Sequence, residues 1–142
     1  MSQPAGIREY ALQKTAKLLE DVVAAVHAAA ENAEEEAVHK MRVSIRRLQQ
    51  ALRLFRQYFK AKGLEKLKTE LRSILKVAGE LRNRDIAMAL VAESGGASSS
   101  ALSQQLSAER EELQRQLGET LKPFRARDLS EEWRKRLGIE AV

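Results

Sequence analysis

The chain has 142 residues, which is enough for one domain with a hydrophobic core and short for two. It contains no cysteine, so disulfide and thiolate chemistry are excluded, and its low aromatic content of 4% favours helices over sheets. A net charge of +5 points to an anionic partner. Because no apolar run of about 18 residues occurs, we expect a cytoplasmic protein that makes no membrane contact.

Hydrophobic residues recur at steps of three and four along the chain, and no alternating strand pattern is present. This periodicity predicts helices at about residues 7–31, 33–60, 64–93, 99–121 and 129–137. Short connections between long helices favour antiparallel neighbours. We therefore expect an all-α fold, an antiparallel four-helix bundle of long helices with a short extra C-terminal helix, built as a single domain over residues 1–142.

Local signals predict where these helices begin and end. Asn32 followed by Glu35 resembles a capping box for the second helix, and Gly63 is expected to mark its end. Pro123 is expected to break the fourth helix. Asp128 is placed to cap the short last helix.

The segment from Val38 to Lys62 contains no acidic residue, although residues 7–36 are acidic overall. Its apolar stripe consists of Val38, Met41, Ile45, Leu48, Leu52, Phe55 and Phe59. One position further along runs a second set, called here the basic stripe: His39, Arg42, Arg46, Gln49, Arg53, Arg56 and Lys60. Because one residue turns a helix by about 100°, the basic stripe lies beside the apolar stripe. We expect its cations at the edge of the packed surface.

The predicted third helix carries a shorter row of cations, Lys68, Arg72 and Lys76, which also lies close to an apolar stripe. This row could form a second wall of a basic groove. Gly79 follows it and interrupts a good helix, at a cost of about 1 kcal/mol relative to alanine. Either close packing of another helix or the approach of a ligand to the backbone could account for this glycine.

Catalytic motifs are missing from the sequence. There is no glycine-rich phosphate loop, no His-Glu-x-x-His and no local grouping of serine, histidine and aspartate. Glu36 precedes His39 by three residues, but a two-metal site in a helical bundle requires a second such pair, and none exists. We therefore expect neither an enzyme nor a bound metal or cofactor.

Anion binding requires only residues that are present. Arginine offers a planar fork of donors that pairs with phosphate, and successive members of the basic stripe advance by about 5 Å along the helix, which suits an extended polyanion. An inorganic phosphate polymer fits better than single-stranded nucleic acid, because the stripe has few free aromatic rings on which bases could stack. Duplex DNA or structured RNA, an acidic protein partner and simple solvation of long basic side chains remain alternatives.

Two segments resemble the CHAD family (conserved histidine α-helical domain). The first is Val38-His39-Lys40-Met41-Arg42-Val43-Ser44-Ile45-Arg46-Arg47-Leu48, followed by Leu52-Arg53-Leu54-Phe55. The second is Gly79-Glu80-Leu81-Arg82-Asn83-Arg84-Asp85-Ile86. The resemblance implies an all-helical, non-catalytic domain whose basic residues line a central groove and bind inorganic polyphosphate, with possible localisation at polyphosphate granules.

Pattern and resemblance together predict these polyphosphate-binding residues: His39, Arg42, Arg46, Arg47, Arg53, Lys68, Arg72, Lys76 and Arg82. Two positions depart from the family pattern, because Gln49 stands where a basic residue is common and Asn83 replaces an aspartate. Family domains usually contain two four-helix units, and only the first is recognisable here. The chain is therefore expected to be a half-domain, either a fragment or one copy of a homodimer that rebuilds the groove from both sides.

Overall fold

The computed structural model describes residues 5–95, 97–125 and 127–139. Its elements are α1 (Ala5–Glu31), α2 (Glu35–Leu54), a 3₁₀ turn (Arg56–Tyr58), α3 (Ala61–Ser94), α4 (Ala97–Arg125) and α5 (Leu129–Leu137). Within these ranges there is no β-strand, so the all-α prediction is confirmed. None of these helices is both long and apolar enough to cross a membrane.

The apolar stripes predicted from the sequence form the core. On α2 the buried members are Val38, Met41, Ile45, Leu48 and Leu52. On α3 the whole predicted stripe is buried: Leu64, Leu67, Leu71, Ile74, Ala78 and Leu81. Residues from α1, α4 and α5 complete a single cluster. Burial of one large aliphatic side chain contributes about 1.5–3 kcal/mol, so these stripes supply the main driving force for folding.

The four long helices contact one another in a closed order, because α1 packs on α2 and α4, and α3 packs on the same two helices. The end of α2 and the start of α3 are joined by residues 55–60 alone, and residues 35–42 of α2 lie beside residues 82–89, far from the start of α3. These two helices therefore run in opposite directions. An ion pair of 2.7 Å between Arg84 and Glu109 joins α3 to α4. The two residues lie about equally far along the chain from the connection between these helices. The finer prediction, that all four form one antiparallel bundle, stays a prediction.

The predicted extension of the second helix to residue 60 is wrong. The helix ends at Leu54, and after a short 3₁₀ turn Phe59 adopts an extended conformation and is buried in the core. The backbone N–H of Lys60 then donates to the carbonyl of Leu137 in α5, at 3.2 Å. These contacts to distant residues end α2 earlier than the periodicity indicates, and Gly63 lies in the first turn of α3 rather than at the end of α2.

Two other predicted helix boundaries are wrong. The N-cap of α2 is Glu34, without a side-chain cap, so the capping box predicted at Asn32 is wrong. Pro123 does not break α4, which continues to Arg125, because the buried ring of Phe124 packs edge-on against Trp133 with 6.4 Å between ring centroids. Asp128 does cap α5 as predicted, since its side chain accepts a hydrogen bond from the Glu131 N–H at 3.2 Å.

The short helix α5 is fastened to α1 and α3 by buried and charged contacts. Trp133 is fully buried, and its indole N–H donates to Glu70 of α3 at 3.4 Å. Arg136 pairs with the same carboxylate at 2.5 Å, while Arg134 pairs with Glu20 of α1 at 3.0 Å. The ion pairs of Arg134 and Arg136 hold α5 where its indole reaches the core. The helix α5 therefore packs as part of the same core as the long helices.

Gly63 is the position where α3 and α5 approach most tightly, because a Cβ atom there would lie 1.7 Å from the carbonyl oxygen of Arg136. We expect Gly63→Ala to lower the free energy of unfolding by about 2 kcal/mol or more, since one of the two backbones must move. Urea unfolding followed by circular dichroism measures this. Gly79→Ala is the matched control, since its Cβ meets nothing within 4 Å and alanine favours the helix. Equal effects of the two changes would contradict the predicted contact.

Candidate functional site

Arg42 occupies an unusual position on the basic stripe of α2. It is only 8% exposed, and its Nε atom is buried without a hydrogen-bond partner in the described structure. Its neighbours in sequence, Met41 and Ile45, are core residues, so packing of the apolar stripe carries the Arg42 side chain to the edge of the core. An arginine nitrogen withdrawn from water without a partner is costly, which indicates a site for a group that the protein itself does not supply.

A cavity of about 320 Å³ lies between the first turns of α2 and the later part of α3. Its lining consists of Glu35, Val38, His39, Arg42, Arg82, Asp85, Ile86 and Ala89. Three of the residues predicted from the sequence, His39, Arg42 and Arg82, therefore meet at one place. The antiparallel pairing of α2 and α3 produces this meeting, because it places position 42 beside position 82.

The electrostatics of this cavity favour an anion. Burial lowers the pKa of the Arg42 guanidinium, and the nearby positive charges of Arg82 and Arg46 lower it further. In the described part of the chain, none of these three arginines forms an ion pair with a carboxylate. A bound anion would relieve this mutual repulsion, and arginine pairs well with phosphate oxygens.

Asp85, one of the two acidic residues of the α3 motif, lines the cavity but is paired with α4. Asp85 forms a short ion pair with Arg110 of α4, and the neighbouring Arg84 pairs with Glu109. Asp85 is thereby balanced by α4 although it lines the cavity, so it does not neutralise Arg42 or Arg82. Sequence reasoning missed Arg110, because it lies 25 residues further on and carries no local signal.

Arg47 and Arg53 lie apart from the cavity. Arg47 lines a wider groove of about 730 Å³ between α1 and α2, together with Asp21 and Ser44, and His39 borders both spaces. Arg53 lies with Arg56 in an open depression at the end of α2. The basic stripe is therefore a path along α2 with one enclosed position, at Arg42.

The predicted row on α3 also lies outside the cavity. Lys68 is half-buried and pairs with Glu65 at 3.7 Å, whereas Arg72 and Lys76 are exposed and have no ion pair in the described structure. Gly79 continues this row towards Arg82, and the space above it is open. Close packing of another helix is therefore not the reason for Gly79, and its bare backbone leaves room on the basic surface.

Other kinds of site find little support among the described residues. No group of three histidine, aspartate or glutamate side chains there is arranged to hold a metal ion. The cavity lining contains no phenylalanine, tyrosine or tryptophan. Phe59 and Trp133 are buried in the core, and Tyr10, which is exposed, lies on α1 against the ring of Phe55.

Arg42 should destabilise the protein when no anion is bound. We expect Arg42→Met to raise the free energy of unfolding by about 1 kcal/mol, because methionine fills similar space without a desolvated charge. The measurement is urea unfolding in a chloride buffer free of phosphate and sulfate. Arg53→Met on the exposed part of the same helix is the control, with an expected change within about 0.5 kcal/mol. A clear loss of stability in the Arg42 variant would contradict an unpartnered guanidinium.

The comparisons with known proteins agree with this geometry. The profile of the CHAD domain matches residues 13–141, a range that contains the cavity and both helices that build it. No curated protein and no solved structure matches the chain. Because the family profile covers most of the sequence, the chain belongs to the CHAD domain family.

Proposed function

We propose that this protein binds inorganic polyphosphate and catalyses no reaction on it. The observation that carries the proposal is the buried, unpartnered guanidinium of Arg42, which faces a cavity with Arg82 and His39. A phosphate group offers the negative charge and the acceptor oxygens that these side chains lack. Family membership supports the same ligand, since polyphosphate is what the CHAD resemblance implies.

An extended polymer explains more of the basic surface than a single phosphate does. Arg46 and Arg53 continue along α2 from the cavity, and Lys76 and Arg72 continue along α3 in the same direction. All four are exposed and have no ion pair within the described ranges, so they are available to a ligand. A chain with one negative charge on each internal phosphate unit can contact both rows at once.

The chemistry of the surface favours phosphates over nucleobases. Binding of single-stranded nucleic acid without sequence preference uses aromatic side chains as stacking platforms, and the cavity lining has no phenylalanine, tyrosine or tryptophan. Phe55 and Phe59, the aromatic residues on the apolar stripe, are half-buried and buried respectively. We therefore rank polyphosphate above nucleic acid, and above an acidic protein partner, which would need carboxylates spaced along both rows.

The proposed role is that of a binding protein and not of an enzyme. Arginine keeps its charge and holds phosphate through hydrogen bonds, so binding requires no residue that takes up or releases a proton. On this proposal the protein works in the cytoplasm and can be held at polyphosphate granules. The polyphosphate chain is released with all of its bonds intact.

Reversing charge on both helices tests the proposal. We expect Arg46→Glu with Arg82→Glu to weaken polyphosphate binding at least about a hundredfold, because two attractions become repulsions close to the buried Arg42. Both side chains are exposed, so the fold should be retained. The measurement is retention on immobilised polyphosphate at low salt, with circular dichroism to check helicity.

The matched control is Lys14→Glu with Lys17→Glu, which changes the net charge by the same amount on the exposed face of α1. This control should bind nearly as tightly as the unmodified protein. Excess duplex DNA or RNA should fail to release the protein from polyphosphate. Equal loss in both double variants, or ready displacement by nucleic acid, would refute the proposed site.

We also propose that two copies share one polyphosphate chain. In one copy the two rows of cations lie on α2 and α3, so a polymer bound along them is left open to solvent on its other side. A second copy would cover more of it. Light scattering should report a monomer without ligand and a dimer when polyphosphate is added. A mass that stays monomeric at saturating polyphosphate would contradict the shared chain while leaving the binding site intact.

A further inference from the structure

Both rows of cations stop at the same level of the molecule. On α2, Arg42 is the first arginine, and the first turn carries Glu35 and Glu36. Lys40 lies before Arg42, but it pairs with Glu36 at 3.5 Å and lines the groove between α1 and α2 instead of this cavity. On α3, the sequence contains no lysine or arginine between Arg84 and the end of the helix. Since position 35 of α2 and position 89 of α3 line the same cavity, the two endings coincide there.

The far side of the cavity is unfavourable for phosphate. Glu35 brings to its lining a carboxylate that has no ion pair in the described structure, and Ile86 and Ala89 bring apolar surface. In the next turn of α3, Leu90 is exposed, with 58% of its surface accessible. The charged residue that follows it in this helix is Glu93. A polyphosphate chain that continued past the cavity would lose its cations and approach like charges.

The end of a polyphosphate chain differs from its interior. An internal phosphate unit carries one negative charge and two free oxygens, whereas a terminal phosphoryl group at neutral pH carries about −1.5 to −2 charges and three acceptor oxygens, like a phosphate monoester. Arg46 and Arg82 lie close enough to the buried Arg42 for their positive charges to act on it. Three positive charges therefore meet where the path of cations ends.

We infer that the cavity between α2 and α3 binds the terminal phosphoryl group of polyphosphate. The rest of the chain then leaves in one direction, along the basic stripe towards Arg53 and along the α3 row towards Arg72. From Arg42 to Arg53 this path is about 16 Å long at 1.5 Å per residue. The inference rests on the proposed function, and it assigns to the cavity the recognition of a free chain end.

A long polyphosphate capped at both ends tests the inference. Converting each terminal phosphate to an ethanolamine phosphoramidate removes a charge and an oxygen from the end groups and hardly changes the total charge. We expect free-ended chains to bind about tenfold more tightly than capped chains of the same length, the equilibrium equivalent of one hydrogen bond to a charged group. Fluorescence anisotropy competition at fixed salt measures both affinities.

Two arginine variants separate the cavity from the rest of the path. In Arg82→Ala the preference for free ends should disappear, because this exposed residue lines the cavity. In Arg53→Ala, where an equal charge is lost, both affinities should fall and the preference should remain. Loss of the preference in both variants, or in neither, would overturn the assignment of the end to the cavity.

The outcomes distinguish this inference from the function on which it rests. If neither polymer binds, the proposed function fails. If capped and free-ended chains bind equally and the Arg46→Glu, Arg82→Glu variant binds neither, the function stands and end recognition fails.

Discussion

The guanidinium of Arg42, held at the edge of the core without an acid to pair with, is the constraint on which the site depends. Core packing places it there, because Met41 and Ile45 are fully buried on either side of it in the sequence. The antiparallel fit of α2 against α3 then adds Arg82 to the same cavity. Apolar burial over many residues offsets the cost of collecting like charges, so the fold keeps a cationic site poised for a ligand.

The acidic residues of the protein are used elsewhere, and this use explains why the site remains positive. Glu70 and Glu132 pair with arginines that fasten α5 to the long helices. Asp85 and Glu109 join α3 to α4. A structural ion pair thus engages Asp85, whereas Glu35 in the same lining has no ion pair in the described structure, and neither have Arg42, Arg46 and Arg82. The proposed function depends on this arrangement of charges more directly than on the net charge of the chain.

Tertiary contacts set the ends of α2 and α4 at residues other than those that the sequence pattern predicts. The periodicity of α2 continues past Leu54, but Phe59 turns into the core and the Lys60 N–H bonds to Leu137, so the helix ends. Pro123 removes one backbone donor near the end of α4, yet the burial of Phe124 keeps the last residues helical. In both cases a local signal was outweighed by contact with α5, which no short sequence window contains.

The periodicity of the sequence was enough to predict the helices, their apolar faces and the position of the basic stripe beside one of these faces. Residues three and four apart share a helix face whatever the rest of the chain does, so periodicity reveals these features directly. It also identified His39, Arg42 and Arg82 as binding candidates. The packing of the helices determines that these three meet, that Arg47 lines the groove beside α1 instead, and that Arg110 pairs with Asp85. Such meetings depend on the register between helices, which packing of the whole core sets and which no local pattern records.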